Sequence, residues 1–337
     1  MKKINVGVIG LGVGAHHVQG YLSHPDVATC GVTDLDLSKV RQVCERYPGR
    51  VRPADSADDI LKDPEISIVS VASYDNYHAA QVVGALQNGK HVFVEKPMCL
   101  TWDEVRQIRS ALAKAPSCRL SANMVLRTCP RFIELKNALE QGELGKVYTM
   151  RADYLWGRLE KLTAGWRRDT PFYSIILGAA VHMVDLVCWA LGRFPVEVRA
   201  VGNQIATQDS GLKANDFAAL LLTFEDGLVA QVSAHGGCAH PHFHQVEAWG
   251  TKKTFFHTLQ GGLWVTGNDE FCGRQEVSGD YPAKPQRLEV VRSFVEHSLG
   301  RVPRPLVSGE EVFSVMSVCL AAEEAMSTRQ PVRIEYC

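Results

Sequence analysis

The 337-residue sequence has no run of apolar residues near the roughly 20 that a membrane-spanning helix needs. It also has no internal repeat, no low-complexity linker and no excess of either charge sign, because 36 basic residues stand against 37 acidic ones. These absences indicate neither a membrane partner nor a nucleic-acid partner. The chain starts Met1-Lys2-Lys3 and passes directly into a strand-like stretch, so we expect a cytoplasmic protein without a signal peptide.

The ten cysteines are scattered and form no C-x-x-C pair, which argues against a zinc knuckle. Most lie among apolar residues, where a thiol behaves as a small hydrophobic group, and a chain of this length does not need disulfides. His240, His242 and His244 alternate in "HGGCAHPHFH" and would share one face of a strand, but Pro241 interrupts that strand. We therefore predict reduced cysteines and no metal site.

The length and spacing of the apolar runs change between residues 122 and 145. Up to about residue 122, short β-branched runs alternate with helical stretches, which is typical of parallel βαβ units. Beyond residue 145 the strand-like runs are longer and turn dipeptides such as Asp226-Gly227 separate them, which predicts a mostly antiparallel sheet. We predict an α/β protein with a doubly wound parallel sheet in residues 1–122 and a second α/β domain in residues 123–337. The predicted strands of the first domain are residues 4–9, 28–33, 67–72, 91–94 and 119–122, and the predicted helices of the second are residues 181–191, 288–298 and 310–326.

A glycine cluster follows the first strand in "NVGVIGLGVGAHHVQGYL", residues 5–22. Gly10, Gly12 and Ala15 fit G-x-G-x-x-[GA], whose backbone N–H groups approach a pyrophosphate at a helix N-terminus. An acidic residue should end the second strand about 20 residues later to bind the adenosine ribose. Asp34 stands there, although it or Asp36 could instead cap the next helix. We predict a Rossmann dinucleotide site formed by Gly10, Gly12, Val13, Gly14, Ala15 and Asp34.

The predicted acid also bears on the choice of dinucleotide. A carboxylate at Asp34 would repel the 2′-phosphate of NADP, and the neighbouring Leu35 offers no compensating charge. NAD is therefore favoured over NADP.

Further motifs are spread along the chain: "ASYDNYH" (72–78), Glu95-Lys96-Pro97 in "NGKHVFVEKPMCLTWDE" (88–104), "GELGKV" (142–147), "GWRRD" (165–169) and "GAAVHMVD" (178–185). Together with the glycine loop they resemble the Gfo/Idh/MocA family of oxidoreductases over nearly the whole chain. The resemblance implies a Rossmann domain followed by an α/β domain with an open antiparallel sheet, and catalysis in the cleft between them. It implies an NAD-dependent dehydrogenase or reductase that transfers hydride between the nicotinamide and a secondary hydroxyl of a sugar, polyol or nucleotide-sugar.

Oxidation of a secondary alcohol needs a base and a cation or donor near the oxygen, in addition to the nicotinamide. Lys96 would stand at the carboxyl end of a parallel strand, where doubly wound sheets bind ligands, and the alternative is a surface lysine paired with Glu95. His182 and Asp185 lie three residues apart on an otherwise apolar helix and share a face. The resemblance favours His182 as general base, and the alternative is a histidine satisfied by an aspartate inside the core.

The resemblance also implies an aspartate four residues before this histidine, a position that Gly178 occupies here. Asp185 is the local candidate for the missing helper, so the predicted catalytic residues are Lys96, His182 and Asp185. The other implied residues lie on two sides of the site. The cofactor side adds Ser73, His78, Glu95 and Lys96, and the substrate side comprises Lys96, Arg127, Trp166, Arg168, His182 and His242.

Two other functions stay open on the sequence. The family also includes cofactor-bound regulators without turnover, which Gly178 favours and the presence of both Lys96 and His182 disfavours. An NAD-assisted glycosidase is the second alternative, and it would give no net NADH. The expected partners are a small sugar or polyol and a second copy of the chain, because the open sheet implied by the resemblance has a face available for a homodimer or homotetramer.

Overall fold

The computed structural model describes residues 3–267 and 273–337. The chain packs into two compact units: residues 1–125, 285–313 and 337 form the first, and residues 126–284 and 314–336 form the second. The nine cysteines in the described ranges are free thiols, whereas Cys272 lies outside those ranges.

The strands are numbered in chain order. They are β1 (Ile4–Ile9), β2 (Val27–Thr33), β3 (Val51–Pro53), β4 (Ile66–Val71), β5 (His91–Val94), β6 (Leu120–Ala122), β7 (Val147–Leu155), β8 (Glu197–Asn203), β9 (Phe217–Thr223), β10 (Val229–His235), β11 (Phe243–Gly250), β12 (Lys253–Thr258), β13 (Gly261–Thr266), β14 (Gly273–Glu276) and β15 (Val332–Arg333).

The α-helices are numbered in the same way. They are α1 (Gly14–Leu22), α2 (Leu37–Arg46), α3 (Ala57–Lys62), α4 (Asp75–Gln87), α5 (Trp102–Lys114), α6 (Pro130–Glu140), α7 (Glu160–Thr163), α8 (Trp166–Asp169), α9 (Val181–Leu191), α10 (Leu288–Ser298) and α11 (Gly309–Thr328). Short 3-10 turns cover Val125–Thr128 and Lys284–Arg287, and a π-helical turn covers Ile176–Ala180. None of these helices, taken over the described ranges, is long and apolar enough to cross a membrane.

The first unit is built on a parallel sheet of six strands within the described residues, in the order β3-β2-β1-β4-β5-β6. Each neighbouring pair is parallel. Strands buried on both faces read as continuous β-branched runs, and Val6, Val8, Ile68, Val69 and Val71 are accordingly fully buried. The chain order reverses between β1 and β4, which makes the carboxyl ends of these strands the ligand-binding edge of such a sheet. The predicted doubly wound sheet is confirmed.

Helix α10 belongs to the first unit, although the sequence analysis assigns its residues to the second domain. Its buried face packs on α1 and on the sheet: Val291 lies against Gly20 of α1, and the Phe294 ring lies 5.6 Å from that of Phe93. His24 and Glu296 add a 2.6 Å hydrogen bond. An amphipathic helix is stable only against an apolar partner, and here that partner lies about 200 residues or more away in the sequence.

The second unit is built on a nine-stranded sheet of the described residues, in the order β14-β13-β12-β11-β7-β10-β9-β8-β15. β7 and β10 pair in parallel, and the other neighbours are antiparallel. This arrangement confirms the predicted mostly antiparallel second sheet. The apolar helix α9 packs against β7 and α6, and His182 on its first turn stacks on Tyr154 near the end of β7.

Candidate functional site

The glycine loop leaves β1 in a conformation that glycine adopts most readily. Gly10 has a φ of +90°, and a Cβ built there would lie 2.7 Å from the Ser73 nitrogen and closer still to the Ala72 carbonyl oxygen. The loop therefore passes tightly over the end of β4. At Gly12, in contrast, no atom of the described residues lies within 4 Å of a built Cβ. The space beside Gly12 is open.

The N-terminus of α1 fits a pyrophosphate group. α1 begins at Gly14, and no side chain of the described residues caps it at Val13, which is itself 50% exposed. The N–H groups of a first helical turn carry a partial positive charge, and the open space beside Gly12 gives an anion access to them. One loop thus brings together the predicted phosphate-binding residues, namely Gly10, Gly12, Val13, Gly14 and Ala15.

Asp34 follows β2 and ties the glycine loop to that strand. Its carboxylate accepts hydrogen bonds from the Leu11 N–H at 2.6 Å and from the Asp36 N–H at 2.8 Å. Asp36 caps α2, since its side chain accepts from a backbone N–H of that helix at 3.0 Å, so capping does not require Asp34. The Lys39 ammonium lies 3.6 Å from Asp34, a cation that the sequence analysis missed.

Lys96 is the second residue after β5 and is half-buried. Its peptide bond to Pro97 is cis. The buried ring of His78 bridges the segments that follow β4 and β5: its Nδ1 lies 2.6 Å from the Pro97 carbonyl oxygen, and its Nε2 lies 3.1 Å from the Ser73 carbonyl oxygen. His78 and Ser73 therefore lie beside Lys96 in the first unit, as part of its backbone support.

A buried polar network lies under Lys96. The Glu95 carboxylate accepts from the Asn123 amide at 2.5 Å and lies 2.9 Å from the His17 Nε2 atom, whose ring contacts the Ser70 hydroxyl at 2.8 Å. Burial works to raise the pKa of Glu95, but the hydrogen bond and charge of His17, the Lys96 charge and the Asn123 amide together lower this pKa. Glu95 is thus an ionised anchor that accepts from the Lys96 N–H at 3.2 Å. The sequence analysis placed Glu95 on the cofactor side and missed His17 and Asn123.

Tyr154 is the centre of a cluster of phenol and imidazole rings in the second unit, which we call the Tyr154 cluster: Tyr154, His182, His242, His244 and Tyr281. His182 stacks on the Tyr154 ring at 5.7 Å with an interplanar angle of 10°. The His242 Nε2 atom lies 3.1 Å from the Tyr154 hydroxyl, and His244 stands opposite Tyr154 in the register of β11 and β7. The Tyr281 hydroxyl lies 2.7 Å from the His244 Nδ1 atom. The cluster offers hydroxyl and imidazole groups at one end of the sheet.

The three alternating histidines do not share one strand face. β11 begins only at Phe243, after Pro241, so that His242 and His244 reach Tyr154 while His240 contacts the Pro241 carbonyl at 2.8 Å. Across residues 3–267 and 273–337, no group of three or more His, Cys, Asp or Glu side chains is placed to hold a metal ion.

Asp185 and Arg127 form a buried ion pair within the second unit. The Arg127 Nε atom lies 3.2 and 3.1 Å from the two carboxylate oxygens of Asp185, and its Nη2 atom lies 2.7 Å from Oδ1. Each side chain is 2% exposed. The pair connects the 3-10 turn Val125–Thr128 to α9, one turn beyond His182. The sequence analysis assigned Arg127 to substrate binding and Asp185 to catalysis, whereas in the structure the two side chains bind each other.

The space beside Gly178 is filled by the ring of Tyr173. A Cβ built on Gly178 would lie 2.8 Å from the Tyr173 Cε2 atom and 2.9 Å from its hydroxyl oxygen. The Trp166 ring packs on Tyr173 edge-on at 6.2 Å. The position that the resemblance assigns to an aspartate is therefore occupied, in space, by a phenol.

The two arginines after Trp166 have different surroundings. Arg168 is exposed and pairs with Asp169 at 2.7 Å. The Arg167 guanidinium instead lies 4.4 Å from the centre of the Trp166 ring, with two further aromatic rings within 6 Å. The resemblance placed Arg168 rather than Arg167 on the substrate side.

Two family models match the chain. The first, described as "Oxidoreductase family, NAD-binding Rossmann fold", matches residues 4–124. The second, described as the GFO/IDH/MocA C-terminal domain, matches residues 132–256. Together they cover both the glycine loop and the first turn of α9.

Several similar proteins are named as dehydrogenases or reductases. The chain is 24% identical to a myo-inositol 2-dehydrogenase of Thermotoga maritima over 98% of this chain and 99% of that one. It is 27% identical to a 1,5-anhydro-D-fructose reductase of Ensifer adhaerens over 83% of each chain. A levoglucosan dehydrogenase solved with NADH and L-sorbose has the same fold, with a TM-score of 0.85 at 18% identity over 99% of both chains. The chain belongs to the Gfo/Idh/MocA family and is an NAD(P)-dependent oxidoreductase acting on CH–OH groups.

Proposed function

We propose that the protein is an NAD-dependent dehydrogenase of a secondary hydroxyl on a sugar or cyclic polyol. One observation carries the proposal: the open glycine loop, the His78-supported strand end and Lys96 all stand at the carboxyl ends of β1, β4 and β5. Ligands of doubly wound sheets bind at this edge. When bound there, the nicotinamide supplies the hydride acceptor or donor.

In this proposal the chain's own residues handle the proton. His182 takes the hydroxyl proton as general base, and Lys96 donates a hydrogen bond to the same oxygen as negative charge develops on it. The Glu95 network fixes the Lys96 backbone, and the Tyr154 ring fixes the plane of the His182 imidazole. We assign Asp185 and Arg127 to the support of α9 rather than to contact with substrate, because both are buried against each other.

The Tyr154 cluster supports a substrate with several hydroxyl groups. Imidazole and phenol groups both donate and accept hydrogen bonds, and a few such groups on a largely apolar wall orient a small polar ligand. The relatives named above act on inositol, an anhydro-fructose and levoglucosan, which are all polyhydroxylated rings. A ring polyol or sugar is therefore the first class to test, followed by nucleotide-sugars.

The test is NADH formation across a panel of polyols, free sugars and nucleotide-sugars. Lys96→Ala and His182→Ala should each lower kcat at least about 100-fold on the substrate found, because each removes a proton-handling group. NADH affinity should change little in His182→Ala. Lys114→Ala and His240→Ala, which change the same residue types elsewhere, should keep full turnover.

Three outcomes would contradict this reading. Full turnover in both His182→Ala and Lys96→Ala would remove the assigned roles. Tight NADH binding without turnover of any compound in either direction would favour a regulator. Substrate cleavage without net NADH would favour the glycosidase.

The choice of NAD over NADP gives a second test in the first unit. Asp34→Asn keeps an oxygen that accepts from the Leu11 N–H but removes the charge that faces Lys39. The Lys39 ammonium then attracts a 2′-phosphate, so the ratio of NADPH affinity to NADH affinity should rise about tenfold, equal to about 1.4 kcal/mol. Fluorescence titration with both nucleotides measures the ratio.

The control is Lys39→Met in the Asp34→Asn background. It should return the affinity ratio towards that of the wild type, because the attracting cation is gone. An unchanged ratio in Asp34→Asn would show that this carboxylate does not face the ribose.

A further inference from the structure

A buried imidazole connects α1 to the strand end that carries Lys96. His17 lies in the first turn of α1 and is 2% exposed. Its Nε2 atom lies 2.9 Å from the Glu95 carboxylate, and its Nδ1 atom lies 2.8 Å from the Ser70 hydroxyl of β4. The ring packs edge-on against Phe93 of β5 at 5.2 Å, and Phe294 of α10 lies against Phe93 in turn. Three elements of the first unit therefore meet at this side chain.

The partners of His17 determine which of its ring nitrogens carries a proton. An ionised carboxylate only accepts hydrogen bonds, so Nε2 must carry the hydrogen that is donated to Glu95. The Ser70 hydroxyl donates to Nδ1 of a neutral ring or accepts from Nδ1 of an imidazolium, so it serves both charge states. The Asn123 amide donates to the same Glu95 oxygen at 2.5 Å, and the other carboxylate oxygen accepts from the Lys96 N–H at 3.2 Å. Glu95 thus connects His17 to Lys96.

The groups that face Glu95 have opposing effects on its charge. Burial alone would raise the pKa of Glu95, and the hydrogen bond and charge of His17 are the leading contributions that lower it, ahead of the Lys96 charge and the Asn123 amide. Tyr21, one turn further along α1, is fully buried, and burial raises the pKa of its phenol, so this group stays neutral. His17 therefore contributes more than the other described neighbours to keeping Glu95 ionised.

We propose that His17 is a positioning residue for Lys96: its imidazole holds the Glu95 carboxylate ionised and oriented, and Glu95 in turn fixes the Lys96 backbone and favours the ammonium form of its side chain. The inference rests on the proposed function of Lys96 as a hydrogen-bond donor. The same helix then serves both parts of the site, because the N-terminus of α1 fits the pyrophosphate and its first turn supports Lys96. Loss of His17 should therefore lower turnover more than NADH affinity.

The first test reads the Glu95 carboxylate by NMR of protein labelled with ¹³C-glutamate, with the signal assigned by Glu95→Gln, and it needs no substrate. His17→Leu should raise the titration midpoint of Glu95 by about one pH unit or more, because a charge-assisted hydrogen bond is lost. His17→Gln, whose amide can still donate to the carboxylate, should show less than half of this shift. His16→Leu, which changes the neighbouring exposed histidine, should leave the midpoint unchanged. A wild-type midpoint in His17→Leu overturns the proposal.

A second measurement uses the unaltered protein, so the proposal stays testable if His17→Leu does not fold. The ¹⁵N shifts of the His17 imidazole, assigned by comparison with His17→Gln, should show a proton on Nε2 throughout the pH range in which Glu95 is ionised. A neutral ring that carries its proton on Nδ1 overturns the proposal, because such a ring cannot donate to Glu95.

Turnover gives the third measurement. On the substrate found, His17→Leu should lower kcat about tenfold and His17→Gln less than about threefold, while both variants keep NADH affinity within about twofold of the wild type. An unchanged kcat in His17→Leu overturns the positioning role. If Lys96→Ala keeps full turnover, the proposed function of Lys96 fails instead, and the two NMR results still report on His17 and Glu95. The two failures are therefore distinguishable.

Discussion

Asp185→Ala is expected to lower the free energy of unfolding by about 3 to 5 kcal/mol, because it leaves the Arg127 guanidinium buried without its counter-charge. Both side chains are 2% exposed, and three nitrogen-to-oxygen contacts between 2.7 and 3.2 Å join them. The substitution removes the charge that offsets the desolvation of this buried guanidinium. Urea unfolding followed by circular dichroism measures the change, and a loss below 1 kcal/mol would contradict the buried pairing.

Two controls separate charge burial from simple loss of packing. Asp226→Ala breaks an ion pair with Arg193 whose partners are 39% and 46% exposed, so it should cost less than about 1 kcal/mol. The double variant Arg127→Met with Asp185→Leu replaces both charges by apolar groups of similar length and should recover most of the stability lost in Asp185→Ala. If the double variant is as unstable as the single one, packing rather than charge is the cause.

The same variants bear on the proposed reaction. If Asp185 only supports α9, the double variant should retain turnover as long as His182 keeps its position. If Asp185 instead shares the proton of His182, the double variant should lose turnover even though it is folded. The comparison therefore distinguishes the two roles that the sequence left open for this carboxylate.

The parallel sheet could be predicted because its information is local. Most of its strands coincide with an uninterrupted run of β-branched residues in the sequence. The observed bounds of β1 and β5 are the predicted ones. The three-residue β3 was missed because Arg52 and Pro53 are exposed and leave no apolar run, and the six-residue α3 was missed because it is too short to show helical periodicity. The membership of α10 in the first unit was also missed, because it depends on contacts with Gly20 and Phe93 far away in the sequence.

In the candidate site, too, the local features could be predicted from the sequence and the contacts between distant segments could not. The loop from Gly10 to Ala15 could be predicted because one strand, one turn and one helix contain all of its residues. The partners of single side chains could not, because they depend on packing between distant segments. Asp185 meets Arg127, 58 positions away, and Tyr154 meets His242, 88 positions away. The contact between Tyr173 and Gly178 is a further example, since no sequence pattern predicts that this ring fills the space beside the glycine.

Gly10 and Gly12 belong to one motif, but substitutions at the two positions should fail in different ways. Gly10→Ala places a methyl group against the Ala72 carbonyl oxygen in a left-handed backbone conformation, so it should cost about 3 kcal/mol or more in unfolding free energy. A Cβ at Gly12 has no atom of the described residues beyond its chain neighbours within 4 Å, so the unfolding free energy of Gly12→Val should stay within about 0.5 kcal/mol of the wild type. We therefore expect the fold to require the first glycine and the ligand to require the second.

The effect of Gly12→Val is expected on NADH binding instead. The valine side chain of Gly12→Val fills the space in which a pyrophosphate would approach the N–H groups of α1, so NADH affinity should fall on the order of 100-fold, equal to about 2.7 kcal/mol. Saturating NADH should raise the melting temperature of the wild type and leave that of Gly12→Val unchanged, because a ligand stabilises only the state that binds it. Val201→Ala, a truncation at an exposed valine of β8, is the control and should keep the NADH-induced shift. A Gly12→Val protein that still gains stability from NADH would place the pyrophosphate elsewhere, whereas a Gly10→Ala protein of wild-type stability would show that the loop tolerates a side chain over Ala72.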